Sequence, residues 1–280
     1  MDSIIAQELN GKFPPIAMLR GDEKPEGALQ PKPGQHGCVM PYIARVITED
    51  KTVVFDRETC CCTGGIAGLG FGNKYYDDMP GGADTFAAFF SHGLESAKNP
   101  EQYRTVCERM PPHDRNKFEK GERFFPSPER ALRWITEFLP VYDFPERYRI
   151  FKPLAAVGAT ETVQAVIFTV NPIELTALVT LDGSLRDGVN YTITPQSSAC
   201  QMLGTQVFRQ MESETPHAVL GLLDLASRIY IRKWIPDEYL TYAVPLKLFH
   251  ALEEEAKTGV FHSPIWQDLQ GKKLVTNSPE

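Results

Sequence analysis

Hydrophobic positions along the chain recur with two periods. A spacing of three to four marks a helix over residues 2–11, where Ile4, Ile5 and Leu9 share a face and Gly11 stops the run; 83–96 and 99–110 read the same way. Ser127-Pro128-Glu129-Arg130 opens another helix. Ser127 is suited to cap it, and Pro128 is tolerated at the first position because its missing N–H has no helical partner there. Leu132, Ile135, Phe138 and Leu139 then face inward until Pro140. Asn171-Pro172 starts a helix through about Leu181, Ser197–Met211 is a further one containing Cys200, and Pro245 begins the last, through about Lys257. Short runs rich in β-branched and aromatic residues predict strands at 13–19, 51–55, 148–157, 163–170, 217–223 and 239–244. Val163–Val170 is apolar almost throughout, as expected of a strand central to a sheet. Residues 39–47 are ambiguous, 21–37 and 184–195 read as loops, and 224–233 mixes charged and aromatic positions.

Strands and helices interleave without a clean βαβ repeat and without a dinucleotide fingerprint. The expected fold is α+β (mixed α/β), one globular unit over residues 1–280 with a central mixed sheet flanked by helices. The polar stretch Pro111–Pro126 is where two lobes would part, one of about 1–125 and one of about 126–258. The polar, proline-broken stretch 259–280 reads as a loosely held tail.

Composition narrows the function classes. A formal net charge of −7 and pI of about 5.5 argue against a nucleic-acid binder, which needs a basic excess. No run approaches ~18 apolar residues, so no membrane partner is expected. Residues 1–13 are acidic rather than basic-then-apolar, so no signal peptide is expected either. A chain of 280 residues buries roughly three quarters of its unfolded surface and needs no covalent staple. Its six cysteines therefore read as reduced thiols of a cytoplasmic protein.

Cys60, Cys61 and Cys62 are adjacent, and five glycines follow within the nine residues Gly64–Gly72. Three consecutive thiols fan apart and fit one tetrahedral zinc badly, since zinc ligands are usually spaced two to four residues apart. An iron–sulfur cluster presents several irons in different directions, so diverging ligands suit it better. Cys38 and Cys200 are the distant candidates, with His36 a further one in the first loop. Bare glycine backbone can approach sulfur closely, and a helix beginning at Gly64, capped by Thr63, would favour a thiolate nearby. Against this stands the plain reading of cysteine as a small buried hydrophobe, which also suits Cys107. Gly65, Gly68 and Gly72 serve helix packing equally well. Asp224 and Arg228 stand four apart, with Arg232 at the same spacing beyond, either as a solvated face or as a cationic wall for an anion. His113-Asp114 and His217 have no Ser or Cys partner at motif spacing, so no catalytic triad is argued.

Gly37-Cys38-x3-Tyr42-Ile43-Ala44-Arg45, a short strand, and Cys62-Thr63-Gly64-Gly65-x3-Gly68-Leu69-Gly70 together resemble the uncharacterised family called domain of unknown function 169. Asn171-Pro172, Ala199-Cys200, Asp224–Arg228 and Tyr242-Ala243-Val244-Pro245 fit its later half, so the resemblance spans about residues 10–255. It implies one full-length unit and one site for Cys38, Cys62 and Cys200, but no activity. The family pattern has one cysteine before the glycine pair, matching Cys62; Cys60 and Cys61 depart from it.

The leading expectation is a metalloprotein binding a [4Fe–4S] cluster through Cys38, one or more of Cys60, Cys61 and Cys62, and Cys200, in a redox or Lewis-acid role. Its partner would be a small molecule or a redox protein. One alternative is a non-catalytic small-molecule-binding or regulatory module, with Gly64 and Gly65 lining the pocket and Arg228 on an anion. The other is a metal-free thiol enzyme using Cys62, with Cys38 or Cys200 as resolving thiol.

Overall fold

A single mixed sheet organises the chain, in the strand order β2-β3-β1-β4-β7-β6-β5. The strands are β1 (Ile16–Gly21), β2 (Val53–Phe55), β3 (Tyr148–Pro153), β4 (Val163–Val170), β5 (Thr192–Ile193), β6 (Ala218–Gly221) and β7 (Leu240–Pro245). All neighbours are antiparallel except β5 and β6. The computed structural model describes residues 1–34, 37–60, 62–73, 76 and 79–271, without the His113 side chain.

The helices are α1 (Ile4–Leu9), α2 (Met40–Glu49), α3 (Thr63–Gly68), α4 (Gly82–Phe90), α5 (Pro100–Arg109), α6 (Pro112–Lys120), α7 (Pro128–Arg133), α8 (Pro172–Ser184), α9 (Ala199–Leu203), α10 (Thr205–Met211), α11 (Leu225–Ile231), α12 (Leu246–Ala256) and α13 (Pro264–Leu269). Strand alternation divides the core in two. One face carries Ile16, Met18, Ile167 and Ala243 under α2, α9 and α10. The other carries Ala17, Leu19, Val166 and Tyr242 under α1, α8 and α12. β4 is buried along its whole length, as its apolar run requires. The capping at Ser127 and Asn171 is as expected: Ser127 accepts from the Arg130 N–H, and Asn171 with Glu174 forms a reciprocal capping box.

The ambiguous stretch 39–47 is helix α2, which buries Met40, Ile43, Ala44, Val46 and Ile47 on one stripe. Its β-branched residues obscured the helical period. The expected lobe boundary near residue 125 is not followed by the sheet: β1 and β2 pair with β3 and β4 across it. A smaller cluster packs instead beside the main core, where Phe86 and Ala87 of α4 meet Ala131, Ile135 and Ala67 of α3. The expected loose tail also needs correction. Phe261 and Trp266 are buried against the second core, and Ser263 caps α13 by accepting from the Trp266 N–H. Two aromatic anchors outweigh the polar composition around them; residues 272–280 lie outside the described residues.

Residues 197–211, expected as one helix, divide at Gly204 into α9 and α10. A Cβ at Gly204 would stand 1.8 Å from the Gly68 carbonyl oxygen, so α3 presses on the break directly. Gly204→Ala is expected to cost about 1–3 kcal/mol by overpacking, read from a urea unfolding midpoint.

Candidate functional site

The cysteine run is delivered by a turn that Asp56 builds. Its Oδ1 accepts from the Thr59 N–H at 2.7 Å, the Thr59 hydroxyl at 2.7 Å and the Glu58 N–H at 3.1 Å. Gln30 Nε2 donates to Asp56 Oδ2 at 2.9 Å, tying the turn to the first loop. A carboxylate bonded to backbone two and three residues on is the usual Asx device for reversing a chain. Cys60 then enters the core, and Cys62 is the N-cap residue of α3, one position earlier than the expected cap at Thr63.

Glycines let two other segments reach α3. A Cβ at Gly65 would meet Val39 Cγ1 at 2.7 Å and Cys60 Sγ at 3.2 Å; one at Gly68 would meet Cys200 Sγ and the Cys200 carbonyl carbon at 3.0 Å. Val39 follows Cys38, whose Sγ accepts from the Met40 N–H at 3.4 Å at the start of α2. Cys200 lies in the first turn of α9, and its Sγ–H donates to the Gly64 carbonyl at 3.4 Å. The segments bearing Cys38, Cys60–Cys62 and Cys200 thus gather around one short helix on one face of the sheet.

Electrostatics report the same convergence. Burial pushes the Cys200 thiol well above its ordinary value, and Cys62, Cys38, Asp224 and Cys60, in that order, push it further. Each of those neighbours would carry negative charge, so each disfavours a second one at Cys200. At neutral pH Cys200 is therefore a protonated thiol, and a metal cation must displace its proton to bind. Among the described residues, no group of three or more His, Cys, Asp or Glu side chains stands at metal-ligating separation. Cys61 and His36, both named as candidate ligands, lie outside the described residues. The donor chemistry suits a soft metal or cluster: sulfur from three segments with bare glycine backbone alongside.

Two arginines that the sequence patterns did not mark hold the far end of α3. Arg149 of β3 is fully buried and donates to the Leu69 carbonyl from Nε and the Gly70 carbonyl from Nη2, each at 2.8 Å. Its guanidinium also lies over the Phe71 ring, 4.6 Å from the centroid. Arg57 Nη1 donates to the Phe71 carbonyl at 2.6 Å and Nη2 to the Phe144 carbonyl at 2.8 Å. A cation at the C-terminal carbonyls of a helix opposes the negative end of its dipole. Gly70 adopts φ +77°, and a Cβ there would strike the Phe144 ring at 2.7 Å, so glycine is required. An arginine between Tyr148 and Ile150-Phe151 in a strand was the available sign of Arg149.

Arg228 is not a cationic wall. Its Nε donates to the Leu222 carbonyl at 2.8 Å and Nη1 to the Asp237 carbonyl at 3.0 Å, so the side chain braces backbone. Arg232 pairs with Asp237. Asp224, expected to face Arg228, caps α11 instead: Oδ1 accepts from the Ala226 N–H at 2.9 Å, and Oδ2 from the Ala199 N–H at 3.2 Å. It thereby joins α11 to the turn that carries Cys200. Asp224→Ala is expected to destabilise by about 1–2 kcal/mol, measured by urea unfolding, because it removes the caps of two helices at once. Gly64 and Gly65 sit within the first turn of α3, where Gly64 supplies its carbonyl to Cys200. Cys107 packs apart from the other cysteines, with Ala88 and Tyr103.

Among families of known sequence, the model for domain of unknown function 169, described as an uncharacterised ArCR, matches residues 4–255. No curated protein and no solved structure matches the chain.

Proposed function

The chain belongs to the family of domain of unknown function 169, whose description carries no activity, and from the residues themselves we propose that it is a metalloprotein holding an iron–sulfur cluster of the [4Fe–4S] type. The observation that supports this is the gathering of Cys38, Cys60, Cys62 and Cys200, four thiols from three segments, in one core cluster around a glycine-rich helix. Cys38, Cys62 and Cys200 would be ligands, with Cys60 or Cys61 as a fourth. When bound, such a cluster supplies electron transfer, or an open iron as Lewis acid if only three cysteines ligate.

Reduced thiols fit the cytoplasm, and no described helix is long and apolar enough to cross a membrane. The protein's own groups would tune the site. The Met40 N–H donates to Cys38 and can go on doing so to a thiolate, Arg149 braces the end of α3, and the Cys200 S–H bond to the Gly64 carbonyl is given up when the thiol ligates. The binding-module alternative loses its anion contact, because Arg228 is engaged with carbonyls. The thiol-enzyme alternative keeps Cys62 at the start of a six-residue helix. Strictly anaerobic purification followed by iron and acid-labile sulfide analysis tests the reading. Brown protein with both elements is expected; colourless protein lacking both, with one hyper-reactive cysteine on alkylation, would replace it with the thiol-enzyme reading.

A further inference from the structure

The chain leaves β6 through a constrained turn. Leu222 is buried and adopts φ +59°, a left-handed conformation that residues with a side chain rarely take. Arg228 holds it there, donating from Nε to the Leu222 carbonyl at 2.8 Å. The turn brings half-buried Asp224 to the heads of two helices at once. Its Oδ1 accepts from the Ala226 N–H of α11 at 2.9 Å, and its Oδ2 reaches 25 residues back to the Ala199 N–H of α9 at 3.2 Å.

Capping accounts for the first of these bonds, and Asn or Ser would serve α11 as well. The second is less ordinary. α9 has a capping box of its own, in which Gln201 Oε1 accepts from the Ser198 N–H at 3.0 Å. Serving both helices takes two accepting atoms on one short side chain, which a carboxylate has and an amide lacks. The residue so held directly precedes Cys200, whose Cα follows about 3.8 Å on. Cys200 is thus gripped from two sides, its turn by Asp224 and its Sγ by the Gly64 carbonyl of α3 at 3.4 Å. Burial first, then Cys62 and Cys38, then Asp224 push the Cys200 thiol up, in keeping with a carboxylate one residue away.

Resting on the thiol-centre reading above, we propose that Asp224 is a positioning residue of that centre, which holds the turn bearing Cys200 and sets beside it a negative charge that makes the centre harder to reduce. Reduction adds one electron there, with no bond made or broken, and a nearby carboxylate in a partly buried setting opposes the added charge.

The test compares full-length wild type, Asp224→Asn and Asp237→Asn, all purified anaerobically. Asp237, the exposed partner of Arg232, controls for net charge. Iron is counted per chain, and midpoint potentials are read by electron paramagnetic resonance in titrations with dithionite and mediator dyes. Asn keeps one accepting oxygen for α11 but loses the charge and the bond to Ala199. At a fixed potential, Asp224→Asn is expected to hold a reduced-to-oxidised ratio about tenfold above wild type, about 59 mV for one electron, with Asp237→Asn at the wild-type value. Iron-loaded Asp224→Asn at the wild-type potential, or an equal shift in Asp237→Asn, would overturn the role and leave the thiol centre standing. If Asp224→Asn carries no iron, Asp224→Glu decides: iron restored by the carboxylate supports the role, and iron absent from both overturns it. Wild type without iron would overturn the thiol centre, and this role with it.

Discussion

Arg149→Ala is expected to destabilise the protein by about 3–5 kcal/mol, visible as a lower urea midpoint with an unchanged slope. The substitution leaves the Leu69 carbonyl buried without its donor, strips the Gly70 carbonyl of its charged donor while the Phe144 N–H remains on it at 3.1 Å, opens a void between Phe71 and Phe144, and removes the cation at the end of α3. The orphaned Leu69 carbonyl costs about 1–3 kcal/mol, and the void and the lost cation add to it. Desolvation lowers this guanidinium to about 10, which still leaves it charged at neutral pH. Arg149→Lys keeps the charge but not the planar fork that reaches both carbonyls, so about half of the loss is expected to remain. A midpoint for Arg149→Ala within about 0.5 kcal/mol of wild type would mean that α3 does not depend on this clamp.

Cys200→Ser is expected to lower bound iron at least about tenfold, whereas Cys107→Ser leaves iron content unchanged. The contrast follows from position. Cys200 faces three other described cysteines and donates to the backbone of α3, while Cys107 packs with Ala88 and Tyr103 in a separate cluster. Serine keeps the size and a hydrogen-bonding group at Cys200, so a fall in iron reports lost ligation rather than lost fold. The companion variants Cys60→Ser and Cys61→Ser identify the fourth ligand, since the family pattern matches Cys62 alone. Full iron occupancy in Cys200→Ser would remove Cys200 from the ligand set.

The same thiols bring a pH dependence to loading. Cys200 is raised above its ordinary value, so it stays protonated at neutral pH and competes with the metal. Apparent affinity is expected to rise with pH, because each ligating thiol gives up a proton. In metal-free protein the sign is opposite for stability. The buried neutral thiol contributes stability below the ordinary thiol range, and that contribution is lost as pH rises through and beyond it.

Much of this was legible along the chain. Apolar β4, the caps at Ser127 and Asn171, and the start of α12 at Pro245 depend on neighbours within a few residues, and sequence spacing records those directly. The break at Gly204 was hidden because its cause is the carbonyl of Gly68, far away in sequence. Phe261 and Trp266 were hidden because two anchors in a polar stretch make no period. Arg228 was misread for a related reason. Its spacing from Asp224 suits an ion pair, but Asp224 is taken by two backbone N–H groups and Arg228 by two carbonyls.

By itself the sequence determined an α+β chain, most of its strands and several of its helices, and a cysteine run followed by glycines, because propensity, capping and periodicity are local interactions. Only the tertiary structure decided that Cys38, Cys60, Cys62 and Cys200 share one face, that glycines admit them to the backbone of α3, and that a buried arginine holds its far end. Those outcomes depend on which distant surfaces exclude water together, and a one-dimensional pattern carries no record of such pairings.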